Sequence, residues 1–188
     1  SKAQQDIQLD SDRISAFVNE VWEDEIIPEL ETYIAIPAKS PAFDADWQAH
    51  GYIDEAVAQI EAWCRGRGMD GLEVEVVKLE GRTPLIYMEH PGTPPFDNGE
   101  TVLLYGHLDK QPEMTGWRDD LGPWKPVREG DKLYGRGGAD DGYAAFASLT
   151  AIEALHRFGG GHSRCVILIE GCEESGSYDL PHYIDALA

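Results

Sequence analysis

Residues 143–170, YAAFASLTAIEALHRFGGGHSRCVILIE, change their period once, and that change decides the fold class. From Tyr143 to about Phe158, the apolar residues Phe146, Leu149, Ile152 and Leu155 lie on one stripe, the spacing of a helix packed on one side. A glycine turn follows. Cys165 to Ile169 is then an unbroken apolar run, as expected of a buried strand. Upstream, Val102 to Tyr105 is a second such run, also read as buried on both faces, and Leu85 to Met88 a third. Leu72, Val74 and Val76 alternate with Glu73 and Glu75, the pattern of a strand with one wet face. Further out, Ile53, Val57, Ile60 and Cys64 mark a helix ended by Gly66 and Gly68. Ile14, Phe17, Val18 and Val21 mark an earlier one, with Ser11 or Asp12 as caps and Pro28 as a kink or break. Pro91 to Gly99 and Lys110 to Gly130 read as loops, and a last helix starts after Ser177. Helices first, then strands, then strand–helix–strand–helix predicts an α/β fold, with sites at the carboxyl ends of the central strands.

The 188 residues fit one domain or a piece of a larger one. Thirty-five acidic residues against 15 Lys and Arg give a formal charge of −20, a field that repels nucleic acid and anionic membranes. No apolar run approaches the roughly 20 residues of a membrane helix. Three cysteines without C-x-x-C spacing, and a polar start from Ser1 to Leu9, predict reduced thiols and a cytoplasmic location.

Three polar clusters fall where the reading places strand or helix ends. Gly106-His107-Leu108-Asp109 follows the Val102 strand; residues two apart point the same way, so His107 and Asp109 share a face. A metal-bound imidazole needs such an acceptor on its other nitrogen. Gly135-Arg136-Gly137-Gly138-Ala139-Asp140-Asp141-Gly142 precedes the Tyr143 helix, either as a turn with an aspartate cap or as an aspartate ligand on a glycine loop. It is no phosphate loop, because Tyr143 stands where Lys is needed. Glu170-Gly171-Cys172-Glu173-Glu174-Ser175-Gly176 ends the Cys165 strand, and its adjacent carboxylates repel unless a cation neutralises them. With no G-x-S-x-G elbow and no Cys–His setting, the residues themselves point to a metal-dependent hydrolase.

Taken in order, H-L-D, G-R-G-G-A-D-D-G and E-E-S-G-S resemble the zinc metallopeptidases that include carnosinases, aminoacylases and carboxypeptidase G, most closely the carnosinase-like dipeptidase branch. The resemblance implies a three-layer sandwich with a mostly parallel mixed sheet, residues 1–188 being the N-terminal part of the catalytic domain. It implies two Zn2+ ions, with Mn2+ or Co2+ as substitutes. His107 would bind one ion, Asp140 would bridge, and Glu174 would bind the other. Asp109 would orient His107, and Glu173 would be the general base acting on a dipeptide or small amide. Further ligands, and a lid domain that forms a homodimer, would lie outside the 188 residues, leaving the chain inactive alone. Deacylation of N-acylated amino acids and a non-catalytic metal-binding role are the alternatives. The sequence has Gly142-Tyr143 where that family often has Lys-Gly. His50, His90, His156, His162 and His182 read as isolated, structural or solvated histidines.

Overall fold

A computed structural model describes residues 9–188; the polar start read at Ser1 to Leu9 lies outside them except for Leu9. Helix α1 spans Ser11–Val21 and is capped by Asp10, whose carboxylate accepts the Arg13 N–H at 3.1 Å, rather than by Ser11 or Asp12. Pro28 does not break the chain's path. The turn Trp22–Ile26 widens so that the Ile27 N–H reaches the Trp22 carbonyl, and helix α2, Ile27–Ile34, continues with Pro28 in its first turn. There the missing N–H and the bulky ring cost least.

The short α3 (Trp47–His50) and the long α4 (Tyr52–Gly66) lead into strands β1 (Glu73–Val77), β2 (Leu85–His90) and β3 (Thr101–His107). The loop after β3 holds a small hairpin, β4 (Val127–Glu129) and β5 (Lys132–Tyr134), too short to carry a period in the sequence. Helix α5 (Ala144–Arg157), strand β6 (Arg164–Glu170) and helix α6 (Leu180–Leu187) complete the order.

The main sheet runs β1-β2-β6-β3 and is mixed, as expected. Among the strands of this sheet that are described only β3 and β6 pair in parallel; β1–β2 and β2–β6 are antiparallel, so the parallel share is smaller than the reading implied. The sheet is a middle layer. Ile86, Met88, Cys165, Ile167 and Ile169 face one core with Phe17, Ile60, Phe146 and Leu149 from α1, α4 and α5. Leu85 and Leu168 face the other way, against Tyr183 of α6.

Strand β3 departs from its reading. Val102, Leu103 and Tyr105 are 49%, 60% and 46% exposed, because β3 is the edge strand and α6 covers only the β2–β6 part of its outer face. An apolar run records composition, not which neighbour covers it. No helix among the described residues is long and apolar enough to cross a membrane.

Candidate metal centre

The parallel pair β3–β6 ends with His107 opposite Glu170, so both following loops leave the same end of the sheet. His107 sits almost buried at the foot of the site, its side chain 7% exposed. Its Nε2 lies 3.2 Å from Asp140 Oδ1, 3.5 Å from Glu173 Oε2 and 3.8 Å from Glu174 Oε1. One ligand atom each from His107, Asp140 and Glu174 can be chosen so that all lie within 4.8 Å of one another. Three of the residues singled out from sequence thus share one site, with Glu173 beside them.

Asp109 is fully buried and works in two directions. Its main-chain carbonyl accepts from His107 Nδ1 at 2.9 Å, closer than its carboxylate, which stands 3.4 Å away. The carboxylate instead accepts two successive main-chain N–H groups, Glu173 at 3.1 Å and Glu174 at 3.0 Å. Asp109 therefore ties the imidazole loop to the glutamate turn, a role that residue spacing cannot reveal.

Asp140 and Asp141 do not cap α5. Tyr143 occupies that position, and both aspartates have non-helical backbone angles. Their joining peptide is cis. Asp141 turns inward, its Oδ2 accepting the His107 main-chain N–H at 3.2 Å, while the Asp140 side chain is 59% exposed. Gly106 makes this close approach possible: a Cβ there would meet Ala144 Cβ and stand 2.9 Å from Asp141 Oδ2.

The electrostatics follow from this crowding. Burial disfavours the His107 imidazolium, yet the Asp109 hydrogen bonds and charge, with Glu173 adding to them, lift it from 6.5 to about 9. Burial raises Glu174, Asp140 and Glu173 raise it further, and a 2.6 Å hydrogen bond from Gln111 Nε2 opposes them. The donor set, one imidazole nitrogen and carboxylate oxygens around a net negative site, fits a divalent cation.

Two supporting residues carried no motif. Gln111 holds Glu174, and Lys110, fully buried, donates to the carbonyls of Tyr33, Ile34 and Ile36 at 2.8, 3.3 and 2.7 Å. Lys110 thereby closes the C-terminus of α2 under the site by satisfying its last carbonyls. Burial, with Arg136 nearby, pulls its ammonium from 10.5 down to about 7. The buried cysteines offer no nucleophile: burial pushes the Cys64 and Cys172 thiols up to about 12. His182, the nearest histidine in sequence to Glu174, lies exposed on α6 and does not join the site.

A family model described as peptidase family M20/M25/M40 matches residues 103–188. A Cys-Gly metallodipeptidase of Candida albicans is 38% identical over 88 residues, covering 45% of this chain and 18% of that protein. The human Beta-Ala-His dipeptidase is 27% identical over 173 residues, 88% of this chain and 33% of its own length. The crystal structure of human carnosine dipeptidase 1 superposes with a TM-score of 0.67 at 26% identity, over 93% of this chain and 37% of that one. An M20 metallo-carboxypeptidase from Sulfolobus solfataricus gives 0.66 at 26% identity, over 87% and 34%. The chain thus spans about a third of the length of the relatives that match most of it. His107, Asp109, Asp140, Glu173 and Glu174 all fall inside residues 103–188, the stretch over which the chain is similar to the M20/M25/M40 peptidases.

Proposed function

We propose that this chain contributes metal ligands and the general base to a metal-dependent dipeptidase. The observation that carries the reading is the convergence of His107, Asp140 and Glu174 on one point, with the carboxylate of Glu173 beside it. His107 and Glu174 would hold a pair of divalent ions, with Asp140, the most exposed of the three, shared between them. When bound, the ions polarise the scissile carbonyl and acidify water.

The chain's own residues do the rest. Asp109 fixes the imidazole with its N–H directed to the Asp109 carbonyl, leaving Nε2 as the donor. The same carboxylate holds the glutamate turn, so Glu173 and Glu174 keep separate aims. Glu173, its side chain 39% exposed, takes a proton from the attacking water and delivers it to the departing amine. Zinc is the first metal to test, then manganese and cobalt. Dipeptides are the substrate class, a choice supported by the names of the relatives. In this reading the remaining ligands, and a lid through which a homodimer forms, come from residues outside these 188, and the working compartment is the cytoplasm.

The test is Glu173→Gln in the enzyme that carries these residues, assayed on Cys-Gly and β-Ala-His. Turnover should fall by about 10²–10⁴-fold with bound metal unchanged. Retained turnover overturns the assignment of the base, and failure of the unaltered enzyme to hydrolyse any dipeptide overturns the substrate class.

A further inference from the structure

A second cluster lies at the other end of β6, about 20 Å from Glu170 at the usual strand rise. His90, the last residue of β2, pairs in register with Cys165. His156 stands in the last turn of α5, and His162 in the loop that follows. These three were read from sequence as isolated residues, but their rings lie with centroids 4.7, 5.0 and 4.9 Å apart. One nitrogen from each falls within 4.8 Å of the others. His90 and His162 are buried, and His156 is exposed.

The hydrogen bonds fix how the rings of this cluster are turned. His162 Nδ1 is 2.7 Å from the Ser163 carbonyl, so that nitrogen carries a proton and Nε2 presents a lone pair. That lone pair faces His156 Nε2 at 2.7 Å. Both nitrogens of His90 face carbonyls, Pro91 at 2.7 Å and Asp70 at 2.9 Å. A neutral ring donates to only one of them and an imidazolium to both, so to bind an ion Nε2 must give up the Asp70 carbonyl while Nδ1 keeps Pro91. Carbonyls on the Nδ1 atoms of His90 and His162 are the outer partners that orient an imidazole ligand. The loops are also pinned in advance: Thr93 N–H donates to the His162 carbonyl at 2.8 Å, and His162 N–H to Thr93 Oγ1 at 3.0 Å. Glu153, one turn earlier on α5, is engaged by Arg67 and Arg157. The Cys165 thiol lies 3.7 Å from His162 Nδ1, the nitrogen that points away from the cluster's centre.

We propose that His90, His156 and His162 form a second metal site, separate from the His107 centre. It would take a borderline divalent transition ion such as Zn2+ or Ni2+ through imidazole nitrogens. Calcium and magnesium are excluded as occupants, since they require oxygen donors. Two nitrogens bound at about 2.0–2.1 Å in tetrahedral geometry stand about 3.3 Å apart. The His156–His162 gap must therefore open from its 2.7 Å, which the exposed His156 side chain can provide by rotation. A bound ion would clamp the end of α5 and its following loop to the end of β2.

The test uses the untagged chain carrying His107→Ala and Glu174→Ala, which silence the first centre, titrated calorimetrically with ZnCl2 and NiCl2. One ion per chain is expected, with a rise in Tm, and His156→Gln or His162→Gln should abolish both. A Co2+ spectrum with nitrogen-ligand character in that background, lost in His156→Gln, would support the same site. No stoichiometric binding, or binding that survives both substitutions, overturns the proposal. Should the silenced background fail to fold, His156→Gln in the otherwise unaltered chain must lower total bound metal by one ion; an unchanged total also overturns it.

Discussion

The two ends of β6 use the same side chain in opposite surroundings. At the carboxyl end, His107 is ringed by Asp109, Asp140, Glu173 and Glu174; burial lowers its imidazole, but Asp109, with Glu173 adding to it, outweighs burial and raises it to about 9. At the amino end, His156 stands against two other imidazoles, and burial followed by His90 and His162 pushes it below its ordinary value against the opposing charge of Glu153. One end would therefore attract cations through negative charge. The other would attract them through nitrogen lone pairs, so it should be far more selective in the ions it takes. The difference shows that an imidazole's chemistry is set by what the fold packs around it, not by the residue itself.

The comparison breaks most directly with His107→Ala. Metal bound at the carboxylate end should be lost, measured by elemental analysis after dialysis, while the three-histidine end keeps its ion. Loss of both at once would mean that the ends are not independent.

A smaller effect is expected from Lys110→Met, which strands three buried carbonyls at the C-terminus of α2. Denaturant unfolding should show a loss of about 3 kcal/mol. The same pair of proteins tests the pH dependence. Lysine titrates near 10.5 when unfolded and near 7 here, so between these values the unfolded chain holds the extra proton. The contribution of Lys110 is then fully present above about 10.5 and lost as pH falls through about 7. The difference in stability between unaltered chain and variant should grow over that interval, and a flat difference would contradict the shift.

Asp109→Asn should weaken metal binding at the carboxylate end by about 10–100-fold, because its amide cannot accept from both the Glu173 and Glu174 N–H groups. Affinity at the three-histidine end should not change. The smallest effect belongs to Leu103→Lys, midway along β3 and 60% exposed. Stability should change by less than about 0.5 kcal/mol, with neither metal end affected. A larger loss would mean that Leu103 is covered in solution.

Much of the fold was legible because its elements carry strong periods. The stripe Phe146-Leu149-Ile152 is buried on α5, and Cys165 to Ile169 lies in β6 with Val166 alone of the five partly exposed. The hairpin β4–β5 was missed because three-residue strands have no period to read. The exposure of β3 was missed because burial depends on neighbours. Within the site, the motifs led to His107, Asp140 and Glu174, but Lys110 and Gln111 act through residues 63 to 77 positions away. No local pattern encodes such contacts.

The sequence by itself determined the α/β class, the end of the sheet where the candidate ligands gather, and the side-chain types available there. These rest on local periodicity and side-chain type, which survive without knowledge of packing. Only the tertiary structure decided that Asp109 ties two loops together, that Asp140 faces solvent while Asp141 turns inward, and that three scattered histidines meet. Each depends on contacts between segments distant along the chain, where close packing rather than sequence spacing sets the distances.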